Sequence, residues 1–331
     1  MIVTSDLAYW LALSVKKHLI SPKTIEKIFM ENQSIKSLWN ARPDDLRMLG
    51  FADSAIVSFL KYRDSAMQNT NYYGIVDSAK KEGIRIIRYV DEDYPQLLKA
   101  AADYSHAFQD PPLILFHKGT LLNFDNCVGI VGTRNCSLHG HMMARRLGRA
   151  VAKLGYTVVS GLARGVDTEA QCGALEVPGG KTISVLAWMN YIYPAENTEL
   201  SKDISKRGAL LSERYSPELK FNETRAPGHF VERNRIISGI SRCIIAVESG
   251  PNGGTVHQVK IAIAQGRRVF AVKPKRENDL AVEGFKSFID MGAIPIDSIK
   301  PVKEFLEKNI LMESAKEKKI DSFNQNRLLI S

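Results

Sequence analysis

The chain has 331 residues, with 45 Lys and Arg against 36 Asp and Glu, which gives a formal net charge of +9. That length suits about two domains, and the basic balance favours an anionic partner such as nucleic acid. No apolar run approaches membrane-spanning length, no signal-peptide pattern is present, and the 4 cysteines form no CxxC pair. We therefore expect a cytoplasmic protein with reduced thiols and no membrane contact.

Residues 1–80 are predicted to form a small helical domain of the SAM or helix-hairpin-helix type. Apolar residues within 7–15 follow helical spacing, and Ser21-Pro22 provides the cap and first-turn proline of a second helix. Further helices open at Pro43 and Phe51. Such helix–turn units could contact DNA, or they could serve packing and protein contacts.

Residues 81–297 are predicted to form an α/β core, and residues 298–331 a C-terminal helix with a charged tail. Apolar residues at 84–87 and Leu113–Phe116 suggest the first strands. From Val128 onward strands alternate with helices, which favours a doubly wound, mostly parallel sheet with helices on both faces. The strands of this alternating part are predicted at Val128–Val131, Thr157–Ser160, Ile183–Leu186, Ala209–Leu211, Ile244–Val247 and Val269–Val272.

Glycines and arginines recur where the predicted strands end. They lie in Gly132-Thr133-Arg134, in the Ser160–Asp167 loop, in Arg233-Asn234-Arg235 and in Gly253-Gly254-Thr255. In doubly wound sheets the ligand site lies outside the carboxyl ends of the strands. Glycine lets an anion approach the backbone closely, and arginine offers a planar fork to phosphate. The pattern therefore indicates a phosphate-bearing ligand, either a nucleotide or a nucleic acid.

The turn Gly132-Thr133-Arg134 precedes a helix start, whose free N–H groups can bind an anion, and Arg134 adds a phosphate fork. The turn lacks the G-x-G-x-x-G pattern, and no acidic residue is placed to hold a ribose. A dinucleotide is therefore disfavoured, and no cofactor is expected. The alternative is a structural turn with a surface arginine.

The Ser160–Asp167 loop places Gly161 and Gly165 around Arg164, and Asp167 is expected to cap the following helix. This loop is either a phosphate-contacting segment or a tight strand-to-helix turn.

Gly253-Gly254-Thr255 opens a further helix and forms a nest-like anion site. Glu248, at the end of the preceding strand, could act as an acid or base, or could orient an arginine.

Phe230 precedes Arg233-Asn234-Arg235 at a predicted helix start. An aromatic ring beside arginines and an amide suits base stacking and phosphate binding. The alternative makes Phe230 a core anchor and pairs Arg233 with Glu232. We favour the binding interpretation, because the basic residues lie at the helix start and not on its outer face.

The sequence contains no strong catalytic or metal-binding pattern. The histidines at 139, 141, 229 and 257 lack the spacing of a strong metal site. No G-x-S-x-G motif supports a Ser-His-Asp hydrolase. We therefore expect a non-enzymatic protein without a metal.

The ordered motifs of residues 80–296 resemble those of the DNA-processing protein A (DprA/Smf) family. Gly132-Thr133-Arg134 with Ser137 and Gly140 matches the family's G-[ST]-R-x-x-S-x-x-G. Ser160–Asp167 matches S-G-L-A-R-G-[IV]-D, and Arg233–Ser241 matches R-N-R-I-I-x-G-[LI]-S. The shorter matches are Tyr193-Pro194 with Asn197, Leu211-Ser212-Glu213, and Gly266-Arg267 with Val269–Val272.

The resemblance implies a Rossmann-like core that binds single-stranded DNA, protects incoming strands and helps load a RecA-type recombinase, notably in natural transformation. It also implies a homodimer formed through this core. Positive groups would bind phosphates while an aromatic ring stacks on bases without reading their sequence. The residues expected to bind DNA or phosphate are Gly132, Thr133, Arg134, Ser137, Gly161, Arg164, Gly165, Phe230, Arg233, Asn234, Arg235, Gly253, Gly254 and Thr255.

Several segments depart from the family pattern. Gly253–Gln258 stands where the family has S-G-S-L-[IV]-T, and Val231 replaces the proline that follows the phenylalanine. Lys273-Pro274 replaces a proline–glycine pair. Many members carry a C-terminal winged-helix domain, and we expect none here because the chain ends too soon for one.

A second resemblance leaves an enzymatic alternative open. Pro251–Thr255 resembles the glycine turn of the lysine-decarboxylase-like phosphoribohydrolases, which place a glutamate three residues after the threonine, where this chain has Gln258. The first interpretation is a non-enzymatic single-stranded DNA-binding protein. The second is a nucleotide-binding or nucleotide-hydrolysing enzyme of the same fold, and the third is a sensor module that binds a small nucleotide.

Overall fold

The computed structural model describes residues 4–15, 20–30, 34–101, 111–121, 123–216, 227–275 and 279–309. The helices are α1 Thr4–Val15, α2 Pro22–Met30, α3 Ile35–Trp39, α4 Pro43–Met48, α5 Asp53–Asn69, α6 Tyr72–Lys81, α7 Gln96–Ala100, α8 Leu138–Lys153, α9 Val166–Leu175, α10 Thr198–Arg207, α11 Pro227–Glu232, α12 Asn234–Gly239, α13 Gly254–Ala264, α14 Asp279–Asp290 and α15 over residues 300–309. The strands are β1 Arg85–Arg88, β2 Ile114–Gly119, β3 Cys127–Val131, β4 Thr157–Ser160, β5 Thr182–Val185, β6 Ala209–Ser212, β7 Cys243–Ala246, β8 Arg268–Val272 and β9 Ile294–Ile296.

Helices α1–α6 form the N-terminal helical region, as the sequence predicts. Ser21 caps α2 by accepting a hydrogen bond from the Thr24 N–H at 3.1 Å. Asn71 caps α6 in the same way through the Gly74 N–H. Buried side chains of these helices, Trp10 among them, join those of β1 and β2 in one continuous core. The division into domains at residue 80 stays a prediction, since it separates elements that share this core.

The described strands form one sheet in the order β1-β2-β6-β5-β4-β3-β7-β8-β9. From β6 to β9 all neighbouring strands pair in parallel, as the alternation of strands and helices predicts. At one edge, β1 and β2 extend the sheet by antiparallel pairing. The α/β class and the doubly wound, mostly parallel sheet are confirmed.

Apolar side chains of the central strands alternate between the two faces, so each face packs against helices. Val128 and Ile130 of β3 pack with α8, α9 and α15 on one face. Val131 of β3 and Ile244 of β7 pack with α12 and α13 on the other. The charged tail predicted after α15 lies outside the described residues, and no described helix has the length and apolarity needed to cross a bilayer.

The cysteines are free thiols, and Cys127 and Cys243 lie fully inside the sheet. Burial raises the pKa of both thiols, that of Cys243 to about 12. Neither is therefore a reactive thiolate at neutral pH.

The strand order reverses at β3. Strands β3 to β6 follow one another outward on one side, and β7 then pairs with β3 on its other side, with Gly129 opposite Ile244. The loops that leave β3 and β7 therefore lead to opposite faces of the sheet. A crevice at such a switch point is where doubly wound folds bind their ligands.

Candidate nucleic-acid interface

A cleft of about 480 Å³ opens at this switch point. Gly132-Thr133-Arg134 after β3, Arg233-Asn234 at the start of α12 and Gly253-Gly254-Thr255 at the start of α13 all line it. Phe230 of α11 and Asp167 of α9 also face the cleft. The fold thus brings together segments that are far apart in the chain. Each of these segments either follows a strand of the parallel sheet or begins a helix that packs beside one.

Gly132 and Gly165 allow the loops after β3 and β4 to pack directly against each other. A Cβ on Gly132 would lie 2.5 Å from Cγ2 of Val166, and a Cβ on Gly165 would lie 2.5 Å from the carbonyl oxygen of Arg134. Gly165 also has a φ of 72°, which favours glycine. The Val166 N–H donates to the Thr133 carbonyl at 3.3 Å. These contacts hold the backbone that carries Arg134 at the mouth of the cleft.

Ser137 faces Glu248 and is not among the residues that line the cleft. Its hydroxyl accepts from the Gly140 N–H at 3.1 Å, which caps α8, and donates to Oε2 of Glu248 at 2.6 Å. The Ser137 N–H donates to the other carboxylate oxygen at 2.9 Å. Glu248 therefore ties the end of β7 to the start of α8. The structure places Ser137 outside the cleft lining, and its predicted phosphate contact stays a prediction.

Arg134 and Phe230 form a cation–aromatic pair at the open side of the cleft. The Arg134 side chain is exposed, and its Cζ lies 5.4 Å from the centroid of the Phe230 ring. Phe230 is half-buried because it also packs edge-on against Trp188, with ring centroids 5.6 Å apart. Phe230 is thus anchored against Trp188 while it also lines the cleft, and its predicted role in base stacking stays a prediction.

The aromatic group around Phe230 is larger than the sequence indicates. The ring of Tyr193 lies 5.5 Å from that of Phe230, and Tyr191 contacts Trp188 at 6.2 Å. The tyrosine–proline motif was a signal for Tyr193. No pattern singled out Trp188, because its proximity depends on how the loop after β5 folds over α11.

Arg233 is buried at the base of the cleft. Its Nη1 donates to the Val185 carbonyl at 3.0 Å, and its Nη2 lies 3.9 Å from Oδ2 of Asp167. A Cβ on Gly161 would fall 1.5 Å from that Nη1, so only glycine leaves space for the guanidinium. Burial lowers the pKa of Arg233 to about 10, although the Asp167 carboxylate opposes this change. Glu232, the partner considered from the sequence, pairs with Arg214 at 2.9 Å.

Asp167 does not cap α9 as expected. Gly165 occupies the cap position, and the Asp167 carboxylate instead accepts from the Gly161 N–H at 3.0 Å. Burial raises the pKa of Asp167, and the nearby Arg233 works in the opposite direction. The carboxylate therefore stabilises the turn of the loop after β4 and not the helix start.

Arg235 is not brought to the cleft, and its predicted phosphate contact stays a prediction. It is buried, and its Nη2 lies 2.6 Å from Oε2 of Glu213, at the end of β6. Successive residues on a helix point about 100° apart, so Asn234 faces the cleft while Arg235 points away from it. The family's L-S-E motif thus supplies the carboxylate that neutralises this arginine.

Arg164 lies exposed beyond the cleft mouth and pairs with Glu196, with Nη2 to Oε2 at 2.9 Å. The hydrogen bonds between them raise the pKa of Arg164 and lower the pKa of Glu196. Asn197 holds this region in place by donating to the Leu162 carbonyl at 2.8 Å. Leu162 has a φ of 59°, a strained conformation that such a tie helps to maintain. The tyrosine–proline–asparagine motif is therefore a support for the Arg164 loop.

The start of α13 presents free backbone N–H groups to the cleft. Gly253 packs tightly, since a Cβ there would lie 2.4 Å from Oγ of Ser249, whereas a Cβ on Gly254 would meet nothing within 4 Å. Thr255 is buried beside them. One turn later, Nε2 of Gln258 donates to the Asn234 carbonyl at 3.0 Å and joins α13 to α12.

The sequence matches the profile of the DNA recombination-mediator protein A family over residues 85–307. Protein Smf of Synechocystis is 31% identical over 323 residues, which cover 96% of this chain and 76% of that protein. The X-ray structure of DNA processing protein A from Streptococcus pneumoniae superposes with a TM-score of 0.68 at 26% identity, covering 92% of this chain and 98% of that one.

A Helicobacter pylori DNA processing protein A, whose structure concerns its single-stranded DNA binding mode, superposes with a TM-score of 0.57 at 25% identity. That alignment covers 68% of this chain and 96% of the other. The family match, the sequence identity to Smf and the shared fold confirm the resemblance carried by the strand-end motifs: the chain belongs to the DNA recombination-mediator protein A family, also called DprA/Smf.

Proposed function

We propose that this protein binds single-stranded DNA in the switch-point cleft, without reading base sequence, as part of DNA processing and recombination. The observation that carries the proposal is the pair formed by exposed Arg134 and half-buried Phe230 at the open side of the cleft. A guanidinium binds phosphate oxygens, and an aromatic ring stacks on any unpaired base. The single-stranded DNA binding mode described for the Helicobacter pylori relative supports this choice.

The charges around the cleft favour a polyanion. Among the described residues that line it, Asp167 is the only acidic one, and it lies 3.9 Å from the buried Arg233. The start of α13 adds the partial positive charge of a helix N-terminus. A strand could therefore place one phosphate at Arg134 and another near Gly254, with a base between them against Phe230.

The cleft lacks the carboxylate that the phosphoribohydrolase alternative requires. Gln258 stands at that position, and its amide is engaged by the Asn234 carbonyl. Both carboxylate oxygens of Glu248 accept hydrogen bonds from Ser137. We therefore propose a binding protein and not a hydrolase. Release of free base from nucleoside monophosphates by the purified protein, lost on Asp167→Asn, would overturn this part of the proposal.

We also propose that the protein acts in the cytoplasm as a homodimer and helps to load a RecA-type recombinase, notably during natural transformation. The family's description as a recombination mediator supports the recombinase role. Light scattering of the purified chain would test the dimer. The rate at which a recombinase forms filaments on strands precoated with single-strand-binding protein, with and without this protein, would test the loading.

Fluorescence anisotropy of a labelled single-stranded oligonucleotide tests the central proposal. Unlabelled duplex and mononucleotides serve as competitors, and the titration is repeated at several salt concentrations. Wild type should be displaced by single strand far better than by duplex. Arg134→Gln should bind more weakly and show a salt slope shallower by about 0.7, the contribution of one phosphate contact on a single strand.

The matched control for Arg134→Gln is Arg146→Gln, which removes an exposed arginine from α8 that does not line the cleft. Its salt slope should equal that of wild type. Equal slopes for both variants, or displacement of the strand by a mononucleotide alone, would show that the cleft does not bind a DNA backbone.

A further inference from the structure

A small groove of about 10 Å³ adjoins the cleft. Arg134, Tyr193 and Phe230 line both the cleft and the groove, whereas Pro194 and Arg164 line only the groove. It ends beside the turn at Ala195–Asn197. Tyr193 therefore lies where the cleft and the groove meet.

Cations and rings repeat along this groove. Arg134 Cζ lies 5.4 Å from the centroid of the Phe230 ring, and Arg164 Cζ lies 6.0 Å from that of Tyr193. The two rings are neighbours, with centroids 5.5 Å apart. Stacked bases in a duplex are spaced by only about 3.4 Å along each strand, so adjacent bases would need to separate to occupy both rings. An extended single strand can do this, and a base-paired one cannot.

The second cation of the groove is already engaged by a carboxylate. Glu196 binds Arg164 through both of its oxygens, while both side chains remain about half exposed, at 53% and 48%. A carboxylate and a phosphate offer the same pair of oxygen acceptors to a guanidinium fork. In the DNA-free protein, Glu196 thus occupies the position that a phosphate would take.

The ion pair is not needed to hold the turn that carries it. Asn197 is buried and ties the turn to the Leu162 carbonyl and to the Thr168 hydroxyl, at 2.8 and 2.9 Å. An ion pair this exposed contributes little to folding stability. Its effect is therefore expected on binding, where the two anions compete for one cation.

We propose that Tyr193 is a second stacking surface for single-stranded DNA and that Glu196 competes with the strand's phosphate for Arg164. This inference rests on the proposed function. Glu196 then lowers the affinity of the protein for single-stranded DNA and makes that binding less dependent on salt concentration. The strand is consequently bound less firmly over Tyr193 than over Phe230.

Glu196→Gln in the full chain tests the competition, with Glu199→Gln as its control. Glu199 is 80% exposed and pairs with Lys202 at 2.7 Å, so its substitution removes the same charge a short distance from the groove. Glu196→Gln should bind a single-stranded oligonucleotide about two- to fivefold more tightly. Its salt slope should be steeper by about 0.7, because a phosphate then gains a cation without leaving an unpaired carboxylate. Equal affinities and slopes for the two variants would overturn the role of Glu196.

A double-mutant cycle with Arg164→Gln separates competition from a general charge effect. The gain from Glu196→Gln should disappear when Arg164 is glutamine. A gain that persists in that background would show that Glu196 acts on the strand directly and not through Arg164.

Tyr193→Leu and Tyr193→Phe test the stacking surface. Leucine should weaken binding by about fivefold or more, and phenylalanine should preserve it, because the ring and not the hydroxyl carries the contact. Wild-type affinity in Tyr193→Leu would overturn this part. A wild-type protein that does not bind single strands would overturn the proposed function as well. By contrast, the wild type could bind single strands through Arg134 while Glu196→Gln and Glu199→Gln bind equally well. That result would overturn only the proposed competition between Glu196 and the phosphate for Arg164.

Discussion

The buried pair between Arg235 and Glu213 allows a test of whether Arg235 supports the fold or binds phosphate. The two side chains lie 2.6 Å apart and are only 6% and 10% exposed. Arg235→Met would leave the Glu213 carboxylate buried without this cation, which costs about 3–5 kcal/mol. At about 2–4 °C per kcal/mol for a domain of 150–250 residues, the Tm should fall by about 6–20 °C.

Tyr94 lies beside the pair and supplies no replacement charge. Tyr94 is fully buried close to both charges, and its hydroxyl already donates to the Pro112 carbonyl at 2.8 Å. Burial also raises the pKa of Tyr94, so this phenol stays neutral. The double variant Glu213→Leu/Arg235→Met removes both charges and should recover most of the lost stability, because apolar residues of similar volume often match a buried ion pair.

Thermal unfolding of the two variants and wild type, followed by circular dichroism, measures these differences. DNA binding is then measured by anisotropy at a temperature where Arg235→Met is folded, and its affinity and salt slope should equal those of wild type. The reasoning is refuted if Arg235→Met keeps the wild-type Tm while its salt slope becomes shallower by about 0.7, since Arg235 would then be a phosphate contact.

Further predictions concern the cleft glycines, the stacking ring and a buried histidine. Gly254→Ala adds a Cβ that meets no protein atom within 4 Å, so this variant should keep the wild-type Tm and bind single strands more weakly. Gly253→Ala should lower the Tm, because its Cβ would lie 2.4 Å from the hydroxyl oxygen of Ser249. Equal losses of Tm in the two variants would contradict both predictions. Phe230→Leu should weaken strand binding by about fivefold or more and Phe230→Tyr should not, as anisotropy would show. Burial lowers the pKa of His117 below its ordinary value of 6.5. As the pH falls below 6.5, the unfolded chain therefore binds a proton at this histidine more readily than the folded protein does, and the folded protein loses stability. Between about pH 7 and about pH 5 the Tm of wild type should therefore fall more than that of His117→Gln, and parallel Tm profiles would exclude this assignment.

The parallel part of the sheet could be predicted from the sequence because its strands are buried on both faces. Such strands are short apolar runs between helices, as at Val128–Val131 and Val269–Val272, and the loops after them were expected to meet at one edge. The antiparallel pairing of β1 and β2 was not indicated. Nothing local to residues 84–87 or Leu113–Phe116 encodes strand direction, which depends on how the N-terminal helices pack beneath them.

The candidate site was predictable in its segments and less so in its individual side chains. Arg134, Arg233 and Phe230 do line the cleft, and glycine proved necessary at Gly161 and Gly165. Ser137 and Arg235 instead contact the carboxylates of Glu248 and Glu213. The Asp167 carboxylate accepts a hydrogen bond from its own loop and does not cap the helix. The reason is that the partners, such as Glu213 for Arg235, come from distant strands, and residue type alone does not distinguish a phosphate-binding arginine from one neutralised inside the protein.

Ser137 and Glu248 are bridged across 111 residues of chain, so the cleft cannot exist until β7 has paired with β3. A ribosome adds about 5–20 residues per second, which leaves roughly 5–20 s between synthesis of the first arginine loop and of the glutamate that anchors it. During that interval Ser137 can still cap α8 through the Gly140 N–H, but the loop that carries Arg134 lacks its tie to Glu248. The cleft also needs the wall formed by Gly253–Thr255, so its lining is complete only after β7 and the start of α13 have been synthesised.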